Sequence, residues 1–212
     1  MVKSFSVVLR IWLLALLACA ALAALCFAEI DVPVAHRVWR FGHHLSSLSA
    51  PLGATVILAV ESAVVLGLMV ARLTRGHISR FAETLAIACL ASICAYGIND
   101  AVLKPLFGVP SPGEVLRGAR HTFNFAMGVE SSSFPSGHMV LAGAFAGVFM
   151  RLYGASIRPL SALLLLVAAL LVIGDWHFIS DVIAGAFVGV SAGILAGEGW
   201  AVHMIGSRYG DF

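Results

Sequence analysis

Residues 160–174 read LSALLLLVAALLVIG, a stretch of fifteen residues without a charge, and similar apolar stretches recur along the chain. Of the 212 residues, 60% are hydrophobic and 11% are charged, and the mean hydropathy is +0.99. A soluble domain carries about a quarter charged residues, whereas a membrane-spanning helix needs about 20 mostly apolar ones. The composition therefore predicts an integral membrane protein. It excludes a disordered chain, a collagen-like repeat and a disulfide-rich secreted scaffold.

The hydropathy pattern predicts an all-α fold, a bundle of six transmembrane helices that forms a single domain over residues 1–212. The predicted spans are residues 11–27, 51–70, 81–102, 134–153, 160–174 and 181–202. The first span has an alternative, because Lys3 and Arg10 before an apolar run also fit a signal peptide. Its apolar run is longer than the usual core of a signal peptide, so we favour a retained helix.

The basic residues predict the side of the membrane that each loop occupies. With the N-terminus in the cytoplasm, eight of the 13 Lys and Arg residues lie inside and five lie outside. Residues 72–80 carry three arginines and are the clearest cytoplasmic marker, whereas the polar residues 29–50 and 101–135 are expected outside. This orientation places both termini in the cytoplasm, and the short loops are typical of a bacterial inner-membrane protein. The net charge of +2 is too small for a nucleic-acid binder.

Three short polar stretches interrupt the apolar background. They are LKPLFGVPSP at 103–112, FPSGH at 134–138 and GDWHFISD at 174–181. In the predicted topology all three lie on the outer side of the membrane, at the ends of the third to sixth helices. The topology therefore predicts that they meet in one site that faces the periplasm or the outside of the cell.

The second of these stretches predicts a binding site for phosphate. Its Pro-Ser-Gly-His sequence opens an apolar helix, and a helix N-terminus offers free N–H groups and a positive dipole to an anion. Gly137 lets a ligand approach the backbone closely, and Ser136 supplies a hydroxyl donor. Lys104, in the first stretch, adds a positive charge for phosphoryl oxygens.

Two histidines and a carboxylate are the candidate catalytic groups. His177 and Asp181 are four residues apart and therefore share one face of a helical turn. A carboxylate in this position holds one imidazole nitrogen and leaves the other free as a nucleophile or base. His138 is available as a general acid.

On these residues the sequence resembles the type 2 phosphatidic acid phosphatase superfamily, which also includes the vanadium haloperoxidases. Lys104 and Pro112 match the first motif of that superfamily, and residues 135–138 match the second completely. His177 and Asp181 match the third motif.

The resemblance, which covers about residues 81–197, implies phosphatase chemistry without a metal or another cofactor. It implies that His177, oriented by Asp181, forms a phosphohistidine with the phosphate of a membrane lipid phosphate or diphosphate. His138 then protonates the leaving alkoxide. The groups expected to hold the phosphoryl oxygens are Lys104, Ser136 and Gly137.

Two arginines of the superfamily pattern are absent. Ser111 stands where the first motif has its arginine, and Leu171 stands where the third motif has one. A guanidinium binds two phosphoryl oxygens at once, which neither replacement can do. We predict that Arg117 and Arg120, the remaining outer basic residues near the three stretches, supply the missing charge.

The leading prediction is a lipid phosphatase, and two alternatives remain. In a lipid phosphotransferase, the phosphohistidine passes its phosphate to a second lipid instead of water. A non-catalytic lipid-binding or lipid-translocating protein is favoured by the missing arginines and disfavoured by the intact His138, His177 and Asp181. The expected partners are the lipid phosphate substrate and membrane lipids, and the sequence leaves the identity of the lipid and the oligomeric state open.

Overall fold

The computed structural model describes residues 2–46, 50–125 and 132–209, and every regular element within these ranges is a helix. The α-helices of this part of the chain are α1 (Val2–Leu25), α2 (Asp31–Ser46), α3 (Ala50–Arg75), α4 (Arg80–Ile98), α5 (Lys104–Phe107), α6 (Pro112–Leu116), α7 (Gly137–Leu152), α8 (Ile157–Ile173) and α9 (Ile179–Tyr209). Two π-helical turns, Cys26–Ile30 and Asn99–Leu103, join α1 to α2 and α4 to α5.

Five helical segments are long and apolar enough to cross a membrane, which confirms the prediction of an all-α membrane bundle. They are Val7–Arg40, Gly53–Arg75, Arg80–Leu116, Gly154–Ile173 and Ile179–Met204. The fourth predicted span, 134–153, corresponds to α7, which is apolar but only 16 residues long. It lies inside the bundle, where it packs against α4 and α9.

The first helical segment is longer than the hydropathy pattern predicts. The π-helical turn continues α1 into α2, with right-handed helical backbone angles at both junctions. Residues 29–46, which we expected in an outer loop, are therefore helical. This helix packs against α6 and α8, and its residues Asp31 and Ala35, one helical turn apart, are buried.

Glycines allow α7 and α9 to pack with their backbones in contact. A Cβ atom at Gly189 would lie 2.5 Å from the Val140 carbonyl oxygen, and one at Gly193 would lie 2.1 Å from the Ala144 carbonyl oxygen. Real Cβ atoms do not approach other atoms this closely, so any side chain here pushes the helices apart. This packing holds the N-terminal ends of α7 and α9 side by side, which brings two of the three polar stretches together.

Replacing Gly193 with alanine is expected to destabilise the protein by about 1–3 kcal/mol, because the added methyl group overlaps backbone rather than a flexible side chain. The thermal midpoint in detergent measures the effect. Gly199→Ala, on the same helix with no atom within 4 Å of the new Cβ, is the matched control and is expected to keep or raise the midpoint. Equal midpoints for the two variants would contradict the assignment of a close helix contact.

Candidate active site

One end of the bundle contains a cavity of about 320 Å³ where the polar stretches meet. The N-terminal turns of α3 and α7 form part of its wall, and the turn between α8 and α9 forms another part. The residues that line it are Ala54, Thr55, Tyr96, Lys104, Ser111, Ser132, Ser133, Gly137, His138, Trp176 and His177. The structure therefore brings together four of the predicted site residues at the cavity wall: Lys104, Gly137, His138 and His177.

The segment that begins α7 is held by two neighbouring elements. The Asn99 side-chain amide donates a hydrogen bond to the Pro135 carbonyl at 3.1 Å, from the π-helical turn after α4. The backbone N–H of Ser136 donates to the Asp181 carbonyl at 3.1 Å, in the first turn of α9. These contacts fix the α7 N-terminus relative to the element that carries His177.

His177 and Asp181 are paired across the start of α9. The distance from His177 Nδ1 to Asp181 Oδ2 is 3.5 Å, and the carboxylate is completely buried. The same oxygen accepts a hydrogen bond from the Phe178 backbone N–H at 2.9 Å, which holds the carboxylate beside the imidazole. With Nδ1 facing this carboxylate, the Nε2 side of the imidazole is left for a ligand.

His138 faces His177 across the cavity. Their ring centroids are 5.8 Å apart, and the ring planes are inclined at 67°. A Cβ atom at Gly53 would lie 3.0 Å from His138 Nε2, so the start of α3 packs directly against this imidazole. The arrangement gives one cavity two histidines, one in the first turn of α7 and one in the turn between α8 and α9, each able to transfer a proton or to bind a phosphoryl group.

Lys104, the first residue of α5, lies at the cavity wall. Its Nζ lies 3.0 Å from Asp100 Oδ1, one helical turn earlier, and 5.8 Å from the centroid of the Tyr96 ring. A Cβ atom at Gly137 would lie 2.9 Å from the Tyr96 ring and 3.7 Å from Lys104 Nζ. Only glycine leaves room at this point, so Gly137 allows the lysine charge to approach the N-terminus of α7.

The structure shows the surroundings of Ser111 and Leu171, the two residues that stand where the superfamily pattern has arginine. Ser111 lines the cavity and begins α6, and its N–H and hydroxyl both donate to Glu114 Oε2, at 2.7 Å and 2.8 Å. Leu171 is buried in an apolar cluster with Met139 and Val182. Its carbonyl accepts the N–H groups of the turn that leads to His177, so this position contributes its backbone rather than a charged side chain.

Three predicted phosphate-binding residues are placed elsewhere. Arg117 and Arg120 are exposed in the segment that follows α6, and neither is among the residues that line the cavity. Ser136 is buried, and its hydroxyl accepts a hydrogen bond from the Met139 N–H at 3.4 Å as the N-cap of α7. Ser136 therefore has a capping role in the fold, and a part for Arg117 and Arg120 in phosphate binding stays a prediction.

The cavity also contains residues that sequence analysis did not select. Tyr96 is eight residues before Lys104 on one continuous helical segment, and this spacing places both on the same face. Ser132 and Ser133 directly precede the stretch at 134–138, and the Ser132 hydroxyl accepts the Val109 N–H at 3.0 Å. Thr55 comes from α3, and no sequence pattern connected α3 to the site.

Asp175, two residues before His177, is a buried carboxyl group in an unusual conformation. Its backbone φ is 56°, and its Oδ2 atom has no hydrogen-bond partner within the described part of the chain. Burial raises the pKa of the carboxyl group from 3.8 to about 6. The folded protein therefore binds more protons than the unfolded chain between these values, and its stability falls as the pH rises through this window.

Replacing Asp175 with asparagine is expected to raise the thermal midpoint at about pH 7.5, where the carboxyl group is charged and buried. Asparagine removes the charge and tolerates the left-handed backbone at least as well. At about pH 4 the wild-type group is largely protonated in the folded protein, so the gain should be much smaller. A gain that is equal at both pH values would contradict this assignment.

The fold and the cavity define an all-α membrane protein with two facing histidines and a lysine beside a helix N-terminus. The chain matches the PAP2 superfamily over residues 84–203, more than half of its length, and it belongs to that superfamily. This confirms the family resemblance of the motifs. No curated protein and no solved structure matches the chain significantly. Proteins of the PAP2 superfamily are generally phosphatases, and membership supports a phosphatase as the kind of activity.

Proposed function

We propose that the protein is a lipid phosphatase that hydrolyses a membrane lipid phosphate or diphosphate through a phosphohistidine on His177. The observation that carries the proposal is the pairing of His177 with the buried Asp181, opposite His138 in a cavity that also contains Lys104. A nucleophile, its orienting carboxylate, a second proton-transfer group and a positive charge are the parts that phosphoryl transfer needs.

In the first step, a lone pair of the free His177 nitrogen attacks phosphorus and forms an N–P bond. The P–O bond to the lipid breaks, and the leaving oxygen takes a proton from His138. Asp181 stabilises the positive charge that develops on the His177 ring. The 5.8 Å between the two ring centroids supports this division of roles, because a phosphoryl group bound to one ring is within reach of the other.

In the second step, water releases the phosphate. His138, now neutral, accepts a proton from the water as the oxygen attacks phosphorus, and the N–P bond breaks. Phosphate leaves, His138 carries a proton again, and His177 returns to its starting form. The same residue therefore acts as an acid and then as a base.

The negative charge of the transferring group is stabilised by Lys104 and by the N–H groups at the start of α7. The N-terminal turns of α3 also face the cavity, through Ala54 and Thr55. The N-terminus of α7 and one lysine then act where the superfamily pattern has two arginines and a lysine.

A lipid substrate suits the position of the cavity at the ends of apolar helices. A phosphate group in the cavity leaves its hydrocarbon tail at the level of the bilayer, beside the apolar surfaces of these helices. The distribution of basic residues supports a site on the periplasmic or outer face, with the N- and C-termini in the cytoplasm.

A second candidate function is binding of a lipid phosphate without catalysis. The observation that favours it is the replacement of both arginines, by Ser111 and by the buried Leu171. Loss of such donors reduces transition-state stabilisation more than it reduces phosphate binding. A phosphotransferase uses the same first step, and it differs only in the acceptor of the second.

Phosphate release by the purified protein in detergent tests the proposal. The substrates are a panel of lipid monophosphates and diphosphates, with EDTA present to remove metals, and His177→Ala protein is the matched control. Release by the wild type in EDTA, and not by the variant, would support the proposal. Binding of the same lipids without release would favour the non-catalytic alternative, and transfer of label to an added lipid alcohol would identify a phosphotransferase.

Lys104, Arg117 and Arg120 are expected to differ strongly in their contributions to kcat. Lys104→Ala should lower kcat about 100-fold, because its charge lies at the cavity wall. Arg117→Ala and Arg120→Ala should each stay within about twofold of the wild type, because exposed charges are screened by water and salt. A loss of activity in either arginine variant as large as that of Lys104→Ala would instead assign that arginine to the phosphate site.

A further inference from the structure

A second buried carboxylate lies behind the His177–Asp181 pair. Asp31, the first residue of α2, has a completely buried side chain that faces the start of α9. Its Oδ1 atom accepts the backbone N–H of Ser180 at 3.1 Å, and its Oδ2 atom accepts the hydroxyl of the same residue. The two residues are 149 positions apart in the chain.

These contacts make Asp31 a cap for α9 that is supplied by another helix. The first N–H groups of an α-helix have no partner within the helix, and a carboxylate that accepts one of them also interacts favourably with the helix dipole. Ser180 is the second residue of α9, immediately before Asp181. Asp31 therefore holds the turn of helix that carries the orienting carboxylate of His177.

The same turn is held from its other side as well. The Asp181 carbonyl accepts the backbone N–H of Ser136, at the start of α7. The backbone around Asp181 is thus held by a contact to α7 and, through Ser180, by a contact to Asp31, while the Phe178 N–H holds the Asp181 carboxylate itself. Of the first two contacts, only the one to α7 comes from the segment that matches the superfamily, because Asp31 lies outside residues 84–203.

A cluster of aromatic side chains packs beside Asp31. The Nε2 atom of His121 is 3.8 Å from Asp31 Oδ2, and the imidazole stacks on Phe27 with ring centroids 4.0 Å apart. On its other side it contacts Phe178, at 4.4 Å between centroids. Burial lowers the pKa of His121, although Asp31 and Asp181 oppose that shift. Two hydrogen bonds from Ser180 are therefore the main polar contacts of the Asp31 carboxylate within the described residues.

We propose that Asp31 is a positioning residue of the active site, which orients the His177–Asp181 pair through Ser180. The proposal rests on the function proposed above for that pair. It assigns part of the catalytic apparatus to the N-terminal helical segment, where no motif lies. A displacement of about 1 Å in a catalytic group lowers rates by up to about 100-fold, so loss of this contact should appear in kcat rather than in substrate binding.

The test compares four variants of the full-length protein in detergent. Asp31→Ala removes both contacts, Ser180→Ala removes only the hydroxyl contact, and Asp31→Glu keeps a carboxylate. Glu29→Ala, an exposed carboxylate two residues before Asp31, is the matched control. Steady-state kinetics gives kcat and KM, and ¹⁵N-histidine NMR gives the tautomer of His177, whose signals are assigned with His177→Ala.

We expect kcat of Asp31→Ala to fall about 10- to 100-fold with little change in KM. Ser180→Ala should show a smaller decrease, Asp31→Glu should recover part of the loss, and Glu29→Ala should match the wild type. In Asp31→Ala the His177 ring should lose its preference for the tautomer with the proton on Nδ1, while the signals of His138 stay in place.

Wild-type kcat and an unchanged His177 tautomer in Asp31→Ala would overturn the proposal. A general loss of structure in Asp31→Ala, seen as loss of the His138 signals too, combined with wild-type behaviour of Ser180→Ala, would assign Asp31 a purely structural role and also overturn it. If the wild-type protein releases no phosphate from any lipid, the proposed function fails, and the His177 tautomer in the variants still decides the role of Asp31.

Discussion

Replacing His177 with alanine is expected to lower kcat for lipid phosphate hydrolysis by at least about a thousandfold, because the change removes the proposed nucleophile. Rapid quenching of the wild-type enzyme with substrate labelled in the phosphate should trap an acid-labile label on the protein. The His177→Ala variant should carry no label. Both experiments follow from the position of His177 between the Asp181 carboxylate and the cavity.

His36→Ala is the control for this experiment, because His36 is exposed on α2. It should keep the wild-type rate and the wild-type amount of label. A His177→Ala protein that folds normally and retains more than about a tenth of kcat, or that still becomes labelled, would rule out His177 as the nucleophile.

Replacing His138 with alanine should lower kcat by about 100- to 10,000-fold, the range expected for loss of a general acid and base. The defect should depend on the leaving group. An aryl phosphate, whose leaving phenolate needs no proton, should phosphorylate the variant almost normally. The second step still lacks its base, so the label should accumulate on His177 instead of turning over.

The two histidine variants therefore give opposite labelling results with the aryl substrate. His177→Ala should show none, and His138→Ala should show more than the wild type. Equal losses on lipid and aryl substrates in His138→Ala, without accumulation of label, would contradict the role of His138 in both steps. Thermal midpoints close to that of the wild type would show that both variants are folded.

The membrane bundle could be predicted from the sequence because hydropathy is a local property. Each predicted span has a corresponding helix, and the superfamily match to residues 84–203 agrees with the family resemblance of the motifs. The prediction failed for residues 29–46, which continue the first helix. Their polar composition suggested a loop, but a helix with one buried face can be polar elsewhere.

The candidate site was predictable only in part, and its residues show why. His177, two residues before α9, pairs with Asp181 in the first turn of that helix, and this contact between residues four apart is local in the chain. The contact of Asp31 with Ser180 depends on how α2 meets α9, which no spacing along the chain reveals. Arg117 and Arg120 are exposed and do not line the cavity, and their role in phosphate binding stays a prediction.

By itself, the sequence determined that this protein is an all-helical membrane protein whose polar motifs lie near the ends of its helices. Apolar runs and motif spacing carry this information, because both act between residues that are close along the chain. Only the tertiary structure decided which side chains form the cavity: Tyr96 and Thr55 face it, and Ser136 caps a helix instead. That choice depends on the rotation of each helix about its axis, which close packing such as the glycine contact of α7 with α9 sets.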